Sequence, residues 1–402
     1  MTGFAVASFL AFGALLVLFG ANGNELIEAL GLRYADLGLL GSFLSLGLGV
    51  GIVIAGPLVD RWPRRPLLVA ACGCVAAACL PLGPDTTFRA LLLHTLLIGF
   101  GAGCYETVLN ALVVEDHGDE SPRRLVFVHA GATFAAALTP LAFEALRGWI
   151  DLAWYHTFRI AGAGHLVLIA AVAFVPMERT RARPHAHPDE RDAPPALAAT
   201  PGTAVATAPG AARGPDARRR GDRVALAAIC VATFAYVGVE SAVTLFVGDY
   251  ARRDLGLDAA RAAGTISAFW SGLLLGRLGV GLAPRAPGAG TTALLAAVAA
   301  LLVFAFGLGW IAPPELAMAG TGFFLGGVFP VMIGLAGQAL PHRTGLAVGL
   351  AGGLGSLGGF AVPWLTGGLA GTGGLPRALA ALSGWLLLLV AGAAFARHRR
   401  TR

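Results

Sequence analysis

Residues 37–65 read LGLLGSFLSLGLGVGIVIAGPLVDRWPRR. An uncharged run, 37–59, is followed at once by Asp60, Arg61, Arg64 and Arg65. About 20 apolar residues suffice to cross a bilayer as a helix. Arginines just past such a run hold that end on the cytoplasmic side. The stretch therefore predicts a spanning helix with an anchored inner end, and the pattern recurs along the chain.

Apolar runs of this order, each with at most one charged residue, fall near 4–24, 37–59, 66–84, 90–114, 125–143, 158–177, 224–248, 262–283, 288–311, 315–340, 345–370 and 378–396. Two of them are broken by a single acid, Glu106 and Glu240. The expectation is an all-α membrane protein with twelve transmembrane helices in two pseudo-symmetric six-helix halves. Composition agrees. Charged residues make up 13% of the 402, against about 25% in soluble domains, and the mean hydropathy is +0.73. Such a chain must use lipid as solvent for most of its surface. Its 57 glycines suit helices that associate by close packing.

Between the sixth and seventh runs the sequence turns rich in Pro, Ala, Gly and charge. It cannot bury a core and reads as a flexible linker. The division is an N-terminal half over 1–178, a linker over 179–222 and a C-terminal half over 223–402. All 29 basic residues are Arg. They cluster after the second run, in the linker and at the C-terminus, so twelve helices put both termini in the cytoplasm. The net charge of +6 is topogenic and points to no nucleic acid. Cys72, Cys74, Cys79, Cys104 and Cys230 lie in apolar runs without metal or haem spacing. No cofactor, metal or catalytic constellation is expected. The N-terminal run lacks a basic flank and a cleavage site, and reads as a retained first helix.

Gly56-Pro-Leu-Val-Asp60-Arg61-Trp62-Pro63-Arg64-Arg65 resembles the signature between helices 2 and 3 of the major facilitator superfamily, with Pro63 where the family usually has Gly. The resemblance covers the whole chain. It implies the twelve-helix fold of that superfamily and a gating role for Gly56, Asp60, Arg61 and Arg65. Gly272-Leu-Leu-Leu-Gly276-Arg277 stands at the equivalent place in helix 8, which adds Gly276 and Arg277 to a closing network at the cytoplasmic face. Three stretches are similar, more softly, to the fucose–glucose–galactose permease branch: Gly101 to Asn110, Tyr236 to Glu240, and Phe269-Trp270 through Arg277. There, the acid of helix 4 and one of helix 1 are linked to proton coupling and sugar binding. The matching positions are Glu106 and Glu25.

The residues themselves argue in the same direction. A charge at a helix centre costs roughly 2.5–3.5 kcal/mol on insertion scales, so it faces a bundle interior or a wet cavity. A carboxyl among apolar neighbours can take up and release a proton. Asn110 lies one turn from Glu106 on the same face and offers an amide to a hydroxyl-rich solute. Glu240 and Tyr236 form a like pair in the other half. His129, with Thr133 one turn on, can touch substrate or a proton, and the indole of Trp270 can stack on a sugar ring. Each has a plainer alternative: a carboxylate paired across helices, a helix-end histidine, a packed tryptophan. The expected proton-coupling set is Glu106, Glu25 and Glu240. The expected substrate set is Asn110, Tyr236, Trp270 and His129, with Gln338 a weaker candidate.

The expected function is transport, not enzymatic turnover. A small polar, sugar-like solute would cross by alternating access with proton symport, in a monomer in the lipid bilayer of a bacterial cytoplasmic (inner) membrane. A proton-driven exporter of drugs or metabolites, and a non-transporting scaffold of the same fold, are the alternatives.

Overall fold

The computed structural model describes residues 2–117, 121–175, 215–283, 287–340 and 344–401. Among them every regular element is a helix. In chain order they are α1 (Thr2–Ala21), α2 (Gly23–Leu30), α3 (Tyr34–Arg61), α4 (Arg64–Cys79), α5 (Phe88–His117), α6 (Ser121–Arg147) and α7 (Trp154–Val172). They continue with α8 (Pro215–Arg253), α9 (Ala259–Leu282), α10 (Ala289–Gly307), α11 (Pro314–Gly326), α12 (Val328–Ala339), α13 (Thr344–Gly373) and α14 (Leu375–Thr401). Most of the expected linker lies outside the described residues. α8 begins at Pro215, inside its last stretch.

Each of the twelve apolar runs is a helix, with two refinements. The first run stops at Ala21, and α2 follows as a separate element. It closes at Gly31, whose φ of 62° ends the helix in the left-handed region, where glycine carries no Cβ penalty. The tenth run is split at Gly327 into α11 and α12. Pro330 lies in the first turn of α12 and cannot donate to the carbonyl of Gly326, so its missing N–H accounts for the break. Pro57, Pro140 and Pro363 lie inside continuous helices. Among the described residues, nine stretches are long and apolar enough to cross a membrane by length and composition. α4, α6 and α7 are shorter or more polar and complete the twelve.

The two halves use the same pairings. α3 packs on α5 as α9 packs on α11, α4 on α7 as α10 on α14, and α1 on α6 as α8 on α13. Glycines set the closest of these contacts. A Cβ at Gly99 or Gly103 would strike the backbone carbonyls of Leu44 and Leu48, and one at Gly47 or Gly51 would strike those of Leu96 and Phe100. In the second half Gly272 and Gly276 abut the carbonyls of Ala319 and Phe323, and Gly322 and Gly326 those of Phe269 and Leu273. Small residues let the backbones meet where no water is available to drive association.

This pairing corrects the register between halves. Gly272 and Gly276 occupy the places of Gly47 and Gly51. Gly56 has nothing within 4 Å of its Cβ position. Arg277 therefore corresponds to Ile52, nine residues before Arg61 and about 14 Å along the helix. It lies deep in the bundle, not at its arginine-rich end.

The halves meet along α3–α13, α6–α9 and α1–α8. At the end carrying Asn22 the meeting is tight. Gly20 faces the carbonyl of Thr244, Gly38 that of Pro363 and Gly367 that of Tyr34. Ser42 donates to the Phe360 carbonyl at 2.6 Å. Towards the arginine end the halves part. Gly56, Gly349, Gly352 and Gly353 face open space, and a cavity of about 240 Å³ opens between Gly49, Val53, Gly353 and Ser356.

Candidate functional site

Polar side chains from both halves meet where α6 packs on α9, with α5 beside α6 and α8 beside α9. Glu106 and Asn110 lie one turn apart on α5, both partly accessible. The Glu106 carboxyl makes no hydrogen bond or ion pair among the described residues. Asn110 Oδ1 accepts from His129 Nε2 of α6 at 3.0 Å. The imidazole packs on Phe9 of α1, ring centroids 4.6 Å apart. One turn on, Thr133 Oγ1 donates to the His129 carbonyl at 3.0 Å.

The same Thr133 oxygen accepts from Arg277 Nη1 of α9 at 2.6 Å, across the boundary between the halves. Arg277 Nη2 lies 3.4 Å from Glu240 Oε2 of α8. Tyr236, one turn before Glu240, donates its hydroxyl to that oxygen. The Tyr236 ring is buried and stacks on Phe329 of α12 at 5.7 Å, next to the bend at Gly327. A continuous run of polar contacts thus goes from Asn110 through His129, Thr133, Arg277 and Glu240 to Tyr236. Glu106 sits beside it as an acceptor without a partner.

These contacts link Asn110, His129, Tyr236 and Glu240, and Glu106 lies one turn from Asn110. They also draw in Arg277, which the sequence assigns to the closing network. Placed at the depth of Ile52, its guanidinium neutralises Glu240 and binds the opposite half. Chemically, the site offers a free carboxylate, an amide–imidazole pair and an arginine–carboxylate–phenol group. That set suits a solute rich in hydroxyls, met by donors and acceptors from two sides.

Trp270 does not join it. It is 3% exposed, edge-on to Phe269, and its Nε1 has no hydrogen-bond partner among the described residues. Glu25 does not join it either. It lies in the first turn of α2, at the Asn22 end, 2.5 Å from Arg147 Nε. Burial pushes its carboxyl above the ordinary glutamate value and the Arg147 charge pulls part of the way back. Arg147 also donates to Asn22 Oδ1 at 2.6 Å, and Asn22 Nδ2 donates to Thr157 at 3.0 Å. This network ties α1, α2, α6 and α7 together.

Of the expected gating residues, the Asp60 side chain lies outside the described residues. Arg61 is exposed, and Arg65 donates to the Val175 carbonyl at the end of α7 at 2.9 Å. Gly276 is held in the α9–α11 contact. Sequence reasoning passed over Asp249 of α8, which is fully buried at the Asn22 end with neither carboxyl oxygen hydrogen-bonded. The motif VGDYARR looks like an ordinary charged helix end. Its burial comes from the α1–α2 elbow, which has no sequence signal of its own.

A family model described as the Major Facilitator Superfamily matches residues 4–363. A 3-(3-hydroxy-phenyl)propionate transporter of Escherichia coli K12 is 27% identical over 152 residues, 37% of this chain and 37% of that protein. The matches span 25% and 37% of the length of the curated relatives. Solved structures cover it nearly end to end. A mutant of the nucleoside transporter NupG superposes with a TM-score of 0.77 at 13% identity, covering 98% of each chain. A D-xylose–proton symporter gives 0.73 at 16% identity, with 98% of this chain and 96% of the other covered. The E. coli fucose:proton symporter FucP gives 0.61 at 17%, with 99% and 98% covered.

Proposed function

The chain belongs to the major facilitator superfamily and is an integral membrane protein, and on that premise we propose that it carries a small polar, sugar-like solute by alternating access with proton symport. The observation that carries this reading is the unpartnered Glu106 carboxyl beside the polar run from Asn110 to Tyr236. Donors and acceptors come from both halves, in helices otherwise apolar. A solute held there touches both moving parts at once. The fold-level likeness to symporters of xylose and fucose agrees with this reading and does not carry it.

The state described has one end sealed and the other parted. In the proposed orientation the arginine end is cytoplasmic, so both termini lie inside and the site opens inward. The membrane is a bacterial cytoplasmic membrane and the working unit a monomer. Uptake begins when the contacts of Gly20, Gly38 and Ser42 separate and the arginine end closes. Glu106 is the coupling group. Ionised, it keeps a charge in the cavity that opposes reorientation. Protonated, it is neutral and can donate to a solute hydroxyl. Asn110 and His129 hold the solute from the first half, and Arg277 with Tyr236 from the second. Each such hydrogen bond contributes about 0.5–1.5 kcal/mol net.

The test is uptake by proteoliposomes of a panel of labelled sugars, with and without an imposed pH gradient. Accumulation driven by the gradient is expected for at least one sugar. Glu106→Gln should lose uphill accumulation and keep exchange between equal pools. Undiminished uphill uptake in that variant would remove Glu106 from the coupling role.

A further inference from the structure

Asp249 presents a problem that the transport site does not solve. It is 0% exposed, and both its carboxyl oxygens lack a hydrogen-bond partner. No other carboxylate among the described residues combines the two properties. An uncompensated ionised carboxylate in such a place costs several kcal/mol.

Its location is specific. The carboxyl abuts the backbone of Gly23, where a Cβ would collide with Oδ2 and press on Oδ1 at 3.2 Å. One turn away Gly20 meets the carbonyl of Thr244, and Gly248 meets Ile266 of α9. α1 and α2 belong to the first half, and α8 and α9 to the second. Asp249 is therefore enclosed by the seal between halves at the Asn22 end, and it is enclosed only while that seal is shut.

The charged groups around it do not neutralise it by contact. On α8 itself, Arg252 and Arg253 lie three and four residues on; Arg252 Nη1 donates to the Leu257 carbonyl at 3.1 Å, and the Arg253 guanidinium is engaged by Asn24 Oδ1 at 2.7 Å and Glu28 at 3.3 Å. Asp254 follows on the same helix. α2 contributes Glu25, paired with Arg147 of α6, and Glu28. α3 contributes Tyr34, and α9 faces this stretch with the apolar Ile266. The acids on α2 would repel a second negative charge.

We propose that Asp249 is a proton-binding site of the seal, distinct from the cluster around Glu106. With the seal shut, the carboxyl holds its proton. Separation of α1 and α2 from α8 exposes it to water, its O–H bond breaks, and the proton leaves to solvent. Shutting the seal then requires a proton to be taken up from the Asn22 side. The proposal does not depend on the solute or on coupling at Glu106.

The test is hydrogen–deuterium exchange of the full chain in lipid nanodiscs, followed by mass spectrometry of peptides covering residues 18–27 and 243–252. Rates are corrected for the intrinsic effect of pH. For one proton, the opening constant should rise about tenfold per pH unit above the midpoint. Asp249→Asn should keep both peptides protected, with no pH slope. Glu106→Gln, Glu25→Gln and Glu28→Gln should each retain the slope. A flat profile in the unsubstituted protein overturns the proposal even if the Asn variant fails to fold. So does a slope that survives in Asp249→Asn, or one abolished instead by any of the three glutamate substitutions.

Discussion

Arg277 Nη1 reaches Thr133 Oγ1 at 2.6 Å while Nη2 lies 3.4 Å from Glu240 Oε2. One guanidinium thus binds a hydroxyl of the first half and a carboxylate of the second. The pair is about four-fifths buried, at 22% and 18% side-chain exposure. Removing one member leaves the other charge uncompensated.

Arg277→Gln and Glu240→Gln should each lower solute transport by tenfold or more. The double variant should lose less than the product of the two, with a coupling energy of about 0.5–3 kcal/mol, the range for residues in one network. Initial uptake rates for the four proteins of the cycle measure this. Strict additivity would mean that the two residues act separately.

Among the described residues Asn110 is held by a single side-chain bond, from His129. Asn110→Ala removes both that bond and an amide offered to solute. A loss of about 1 kcal/mol corresponds to roughly fivefold weaker binding. Solute titration by calorimetry or tryptophan fluorescence reads it. Thermal stability should change little, because the site is partly accessible.

The glycine contacts predict a sharp contrast. Gly99→Ala and Gly276→Ala force a methyl against the carbonyls of Leu44 and Phe323, and overpacking of this kind costs about 1–3 kcal/mol. Gly56→Ala belongs to the charged-turn motif but meets open space. Its midpoint of thermal unfolding should match the unsubstituted protein. Equal losses in all three would show that these helices part more easily than the contacts imply.

Glu25 gives a pH dependence with a definite sign. Burial raises its carboxyl above the ordinary value of 4.5, so the folded state holds this proton more tightly than the unfolded chain. Its contribution to stability is full below 4.5 and is lost as pH rises through the raised value. The difference in Tm between the unsubstituted protein and Glu25→Gln should therefore fall across this interval and then level off. Differential scanning fluorimetry at stepwise rising pH from about pH 4 follows the fall. A difference that grows with pH would show that the Arg147 pair outweighs burial.

Much of the architecture was legible because a bilayer demands long apolar helices, and charge-free runs record them directly. The bend at Pro330 was legible for a similar reason: a missing N–H leaves a mark in the sequence. Depth was harder. Gly276-Arg277 looks like the end of α3 in residue type, and only the backbone contacts of the glycines show it to be nine residues out of register with Arg61. Partnership was harder still. Glu106 and Asn110 share a face by spacing alone, but His129 and Arg277 reach the cluster from other helices. Trp270 spaces as a ligand and is buried as packing. Asp249 needed the α1–α2 elbow, and an apolar run unbroken to Asn24 does not announce where a helix stops.

The glycine contacts have a mechanical consequence. Two helices whose backbones touch at four points along their length cannot slide or splay without losing all four. α3 with α5, and α9 with α11, therefore travel as fused beams. Whatever bending the carrier needs falls to α12, beyond the break at Gly327, where Phe329 leans on Tyr236. The compliant part of the machine lies directly beside Glu240 and Tyr236, so at the proposed site the grip on solute and the flexing of the frame would share one pair of aromatic rings.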